Sequence, residues 1–132
     1  MKYMGSKARI AKYISPIIQK SIDDNNISIY FEPFVGGCNL IDKIKCENRI
    51  GNDIHKYLIS MWIELQKGWI PPKSISEEFY NEVRVNRDKY PDYLVGYVGF
   101  NSTFGAKYFG GFARGKKKTE HQEIILMKHI RI

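Results

Sequence analysis

The stretch at residues 30–40, Tyr30-Phe31-Glu32-Pro33-Phe34-Val35-Gly36-Gly37-Cys38-Asn39-Leu40, limits the possible folds more than any other. It is entered from Ile27-Ser28-Ile29, so a β-branched and aromatic run ends at an acid and a proline. The chain then passes through paired glycines and resumes helix-like spacing at Leu40, Ile41 and Ile44. That pattern predicts strand, tight turn and helix, the helix reaching about Lys45. Glycines in such a turn let a ligand lie against the backbone, and a following helix offers free N–H groups. The turn is therefore either a nucleotide-type corner or an ordinary reversal.

Flanking segments give the corner a context. Residues 49–53, Arg49-Ile50-Gly51-Asn52-Asp53, predict a second short strand ending on a carboxylate. An ionised Asp there can accept from both vicinal hydroxyls of a ribose, and it can also cap the next helix. That helix is expected over residues 54–67, with Ile54, Tyr57, Leu58, Met61, Trp62 and Leu65 on its core face and Gly68 stopping it. Upstream, Ser6 is a candidate N-cap for a helix carrying Ile10, Ile14, Ile17 and Ile18, which Pro16 should kink or divide. Downstream, Ser76-Glu77-Glu78 opens another helix, to about Asp88.

Charge and composition narrow the class. The net charge of +7 points toward a polyanionic partner. It is concentrated in Lys2, Lys7, Arg9, Lys12 and Lys20 at one end, and in Lys107, Arg114, Lys116, Lys117 and Lys118 near the other. Cys38 and Cys46 have no zinc-type spacing and predict reduced thiols in a cytoplasmic protein, while His55, His121 and His129 read as surface residues. No apolar run approaches membrane-spanning length. From Pro91 to Gly115 aromatics and glycines interleave and lead into the basic segment. Such a texture suits base stacking and phosphate approach, the competing reading being a glycine-rich packed helix followed by a loop.

Lys2-Tyr3-Met4-Gly5-Ser6-Lys7, Glu32-Pro33-Phe34-Val35-Gly36-Gly37, Gly51-Asn52-Asp53 and the aromatic-glycine stretch ending in Gly-Gly-Phe-Ala-Arg-Gly occur in this order. Together they resemble the bacteriophage and bacterial DNA adenine N6-methyltransferases of the deoxyadenosine methylase type, over residues 1 to about 118. The resemblance implies an incomplete Rossmann-like α/β methyltransferase domain with a mostly helical target-recognition insertion. It implies S-adenosyl-L-methionine as methyl donor and double-stranded DNA as partner, in a bacterial cytoplasm. Tyr3 and Lys7 match the amino-terminal positions that contact the cofactor, Phe34 and Gly36 its glycine-loop wall, and Asp53 the carboxylate on its ribose. Residues 1–70 correspond to the cofactor-binding part and 71–118 to the recognition insertion, where Lys107, Arg114 and Lys116 are candidate DNA contacts. No catalytic or metal-binding residue is assigned.

Two departures matter. Cys38 replaces a glycine usual in the loop and is expected to crowd the cofactor. The family's Asp-Pro-Pro-Tyr motif, which holds a flipped adenine with its amino nitrogen toward the methyl group, is absent, so the chain is expected to be truncated and inactive alone. Residues 119–132 look helical and unlike the family. A shifted reading of their possible codons permits a family-like continuation, which suggests a frameshift near Lys118. The alternatives are a non-catalytic DNA-binding protein and one half of a split enzyme completed by a polypeptide carrying the motif.

Overall fold

A computed structural model describes residues 1–114 and 130–132. Helix α1 (Ala8–Asp24) leads into strand β1 (Ile29–Glu32), a single 3-10 turn at Ile41–Lys43, strand β2 (Asn48–Gly51) and helix α2 (Lys56–Gln66). Helices α3 (Glu77–Val85) and α4 (Asp92–Asn101) follow, with short 3-10 turns at Arg87–Lys89 and Phe104–Ala106, and strand β3 (Ile130–Arg131) joins the sheet. The three strands are parallel in the order β1-β2-β3, with Phe31 opposite Ile50 and Ile50 opposite Arg131. This is a mixed α/β arrangement, a small parallel sheet flanked by helices, as expected for part of a Rossmann-like domain.

Side chains alternate across a strand, so Tyr30, Arg49 and Ile130 share one face of the sheet and Ile29, Phe31 and Ile50 the other. The first face is packed. Ala11 and Ile22, with Ile14 and Ile18, bring α1 onto Leu40, Ile44 and Tyr30. Leu58, Met61, Trp62 and Leu65 bring α2 onto Val35, Cys38, Ile41 and Ile130. On the second face Ile29 and Phe31 remain 56% and 53% exposed, whereas parallel sheets are ordinarily covered on both sides. A third cluster, Tyr80, Val83, Val95 and Val98, joins α3 to α4.

Several local expectations change. The helix predicted after the glycine loop is only the Ile41–Lys43 turn, because Gly36 and Cys38 hold left-handed backbone (φ +50° and +59°) and Ile44 is extended. Ile41 and Ile44 are core residues all the same. Ser6 is not the N-cap of α1; that position is Lys7, and the Ser6 hydroxyl accepts from the Ala8 N–H at 3.1 Å. Pro16 lies inside α1 without dividing it. The inward stripe is Ala11, Ile14, Ile18 and Ile22, so Ile10 and Ile17 face outward. Ile54 precedes α2 and is exposed. Ser76 does cap α3, accepting from the Phe79 N–H, but the helix stops at Val85. The helical reading of the tail falls mainly on residues outside those described, and Ile130–Arg131 are a strand.

Candidate functional site

The carboxyl ends of β1 and β2 are tied together and drag the glycine loop between them. The Asn52 N–H donates to the Glu32 carbonyl (2.9 Å) and the Val35 N–H to the Asn52 carbonyl (2.7 Å). Gly36 is then fixed on both sides. Its N–H donates to Asp53 Oδ2 at 3.1 Å, and its carbonyl accepts from the buried Trp62 Nε1 at 3.0 Å. The other oxygen of Asp53 accepts from the His55 N–H at 3.1 Å, so Asp53 orders the approach to α2, whose N-cap position is His55. Each carboxylate oxygen keeps a further lone pair for an outside donor.

The amino-terminal segment closes over this loop. A Cβ on Gly36 would stand 3.0 Å from the Tyr3 ring. One on Gly37 would meet Asn39 Nδ2 at 2.8 Å and the Met1 carbonyl at 2.9 Å. What lies against the paired glycines is therefore the chain's own first residues. Lys7 reaches down beside them, donating from Nζ to the Phe34 carbonyl and pairing with Glu32 Oε1 at 3.1 Å. Burial pushes the Glu32 carboxyl above its ordinary range, and the Lys7 ammonium holds it back. Glu32, Asn39 and Trp62 were not among the expected site residues. Glu32 had a visible signal as the acid ending the first strand, whereas Asn39 and Trp62 gain their roles only through contacts distant in sequence.

Between segment and loop lies a cavity of about 270 Å³, whose walls include Tyr3, Lys7, Phe34, Gly36, Asn39 and Asp53. The structure thus brings all five residues expected around the cofactor to one opening. Phe34 is largely exposed at its rim. Cys38 does not line it. The left-handed backbone turns that side chain into the core beside Val35, Ile41 and Leu58, and burial raises the thiol far above its ordinary range. The expected crowding of the cavity by Cys38 is therefore not found.

The aromatic-glycine stretch is chiefly packed structure. Gly96 permits α4 to lie against the Tyr57 carbonyl of α2, and Tyr108, Phe109 and Phe112 turn inward around Gly99 and Tyr80. Lys107 is exposed, with Phe104 exposed three residues before it. Arg114 is exposed but forked onto Glu77, with Nε and Nη2 donating at 3.1 and 2.6 Å. Its counter-charge comes from α3, which the sequence of its own segment could not reveal. Lys116 lies outside the described residues.

His55 is not the surface residue expected. Its ring meets Phe100 and Tyr108 at centroid distances of 4.9 and 4.5 Å, and its Nδ1 is buried without a hydrogen-bond partner among the described residues. Desolvation pushes the imidazole below the ordinary histidine range, opposed by the Asp53 carboxylate and reinforced by Arg87. The folded state therefore binds fewer protons than the unfolded one in mild acid. Stability is full above the ordinary value of 6.5 and falls as pH drops through it toward the folded pKa. Thermal unfolding of His55→Phe should lose less stability than the parent between pH 7.5 and 5.5; equal losses would show that His55 is not responsible.

A parallel sheet with a glycine loop after its first strand and a carboxylate after its second defines part of a Rossmann-like domain. The chain belongs to the D12 class N6 adenine-specific DNA methyltransferase family, whose model matches residues 3–128. That match extends ten positions past Lys118. Membership implies a reaction that depends generally on S-adenosylmethionine and DNA. Comparison with curated proteins and with solved structures gave no match. Among the described residues no helix is long and apolar enough to cross a membrane, and no cluster of side chains could hold a metal ion.

Proposed function

We propose that this chain holds S-adenosylmethionine in the cavity between its amino-terminal segment and the glycine loop, as the cofactor-binding part of a DNA adenine N6-methyltransferase. The observation that carries this reading is the convergence of Tyr3, Lys7, Phe34, Gly36 and Asp53 on one opening. Asp53 suits the ribose because both its oxygens are oriented by backbone donors and retain lone pairs. Tyr3 and Phe34 offer aromatic surface, Gly36 ties the loop to Asp53, and Lys7 braces it at the Phe34 carbonyl. The cavity lies just below the usual range of roughly 300–1,000 Å³ for small-molecule sites, so it would enclose part of such a ligand. When bound, the cofactor supplies an electrophilic methyl group; these residues bind and orient it.

Residues 71–118 are read as the DNA-recognition insertion, with Lys107, Arg114 and Lys116 facing phosphate. For Arg114 this requires exchanging the Glu77 carboxylate for the nucleic acid. The 132 residues contain no Asp-Pro-Pro-Tyr segment, the motif that in this reading would hold a flipped adenine. Methyl transfer, within a bacterial cytoplasm, then draws on that motif from outside these residues, and a complementing polypeptide is one source of it. A frameshift origin of residues 119–132 has to accommodate the family match to residue 128 and the burial of Ile130 in the core. The DNA sequence tests it directly, since an Asp-Pro-Pro-Tyr codon run in another downstream frame is required.

The deciding measurement is thermal unfolding of the chain with and without S-adenosylmethionine. Cofactor at a hundred times its Kd should add about 2.7 kcal/mol of stability, and no shift at millimolar cofactor would sink the reading. Radiolabelled methyl incorporation into DNA by the purified chain should equal the no-enzyme control; incorporation above it would show that this chain is complete for catalysis. Salt-sensitive retention on DNA together with no cofactor-induced shift would instead favour a non-catalytic DNA-binding protein.

A further inference from the structure

We infer that Asn39 is the positioning residue of the cofactor cavity, clipping the amino-terminal segment over the glycine loop so that Tyr3 and Lys7 stand where a ligand can meet them. This rests on the cofactor reading above. Residues 1–7 belong to no helix or strand, yet they supply two sides of the cavity. Asn39 Nδ2 uses both its protons on them, donating to the Met1 carbonyl at 3.0 Å and to Ser6 Oγ at 2.7 Å. A carbonyl can only accept, so the amide nitrogen is fixed on that side. The two bonds bracket Tyr3 and end immediately before Lys7. Ser6 Oγ also accepts from the Ala8 N–H, which joins the clip to the first turn of α1.

The spacing beneath the clip is close. A Cβ on Gly37 would lie 2.8 Å from Asn39 Nδ2 and 3.0 Å from Tyr3 Cβ, so a bare backbone here lets the segment descend far enough for the amide to reach both partners. The segment is held elsewhere by the Met4 N–H on the Ala106 carbonyl at 3.2 Å. That bond fixes the segment to the loop after α4, not to the glycine turn. The amide of Asn39 is therefore a polar link between the glycine loop and both ends of the segment, with Lys7 on the Phe34 carbonyl beyond it.

Hydrogen exchange and calorimetric titration with S-adenosylmethionine on the 132-residue chain test this. In Asn39→Asp and Asn39→Ala the Met4 and Ser6 amides should exchange faster, while the Val35 and Asn52 amides between the strands keep their protection. Cofactor affinity should fall about tenfold, and about threefold in Ser6→Ala, which removes one of the two acceptors. In a Tyr3→Ala, Lys7→Ala background, removing Asn39 should cost no further affinity, since it acts through those two residues. An added loss in that background, or wild-type affinity in Asn39→Asp, would overturn the inference and leave the cofactor reading intact. If the parent chain binds no cofactor, the cofactor reading fails; unchanged exchange at Met4 and Ser6 would then overturn the clip as well.

Discussion

Replacing Gly96 by alanine is expected to lower the unfolding temperature by roughly 10 °C, the largest effect of any glycine-to-alanine change among the described residues. A Cβ at that position would stand 2.1 Å from the Tyr57 carbonyl oxygen and 3.2 Å from Met61 Cβ. The obstacle is backbone, so no rotamer change can relieve it; α4 must move off α2. Overpacking in a core ordinarily costs about 1–3 kcal/mol, and a contact this short belongs at the top of that range. Glycine within a helix is itself unfavourable by about 1 kcal/mol relative to alanine, so alanine here would stabilise if space permitted. The sign of the change thus reports the packing directly. Thermal unfolding of Gly96→Ala beside Glu78→Ala, an exposed position on α3 expected to change stability by less than about 0.5 kcal/mol, makes the comparison. A Gly96→Ala protein as stable as its parent would show that α2 and α4 are not in this contact.

Asp53→Ala should have the second largest effect, and on two measurements at once. Without cofactor, removal of the carboxylate strands the Gly36 and His55 N–H donors at the turn into α2, for a destabilisation of about 1–3 kcal/mol. With cofactor, the loss of charge-assisted acceptors for two hydroxyls should weaken binding by at least about tenfold. Asp53→Asn separates the two. It preserves shape and one acceptor oxygen, so it should recover part of the stability while its affinity remains low. Full cofactor affinity in Asp53→Asn would place the ribose elsewhere.

The two sites differ in how far local sequence specifies them. Asp53 stood out because its position depends on local order: a strand, an acid, a helix, about 20 residues beyond a glycine turn. Gly96 carried no such signal. In sequence it sat among aromatics and basic residues, where a glycine is equally suited to nucleic acid and to a close helix crossing, and only the neighbouring Tyr57 carbonyl decides between them. The same limit explains Arg114 and His55. One finds its counter-charge on α3 and the other its aromatic neighbours on α4 and the loop after it, contacts that no windowed pattern contains.

The sequence by itself determined the family, the strand-loop-strand order and five of the residues that line the cavity, because these depend on short motifs and their spacing. Tertiary structure decided what lies against the glycine loop. Residues 30–40 do not run from the turn into a long helix; left-handed backbone at Gly36 and Cys38 bends them into the core, and the bare glycine surface receives Tyr3 and the Met1 carbonyl. The physical reason is steric. A glycine permits any close approach, and which group makes it depends on where the rest of the chain has folded.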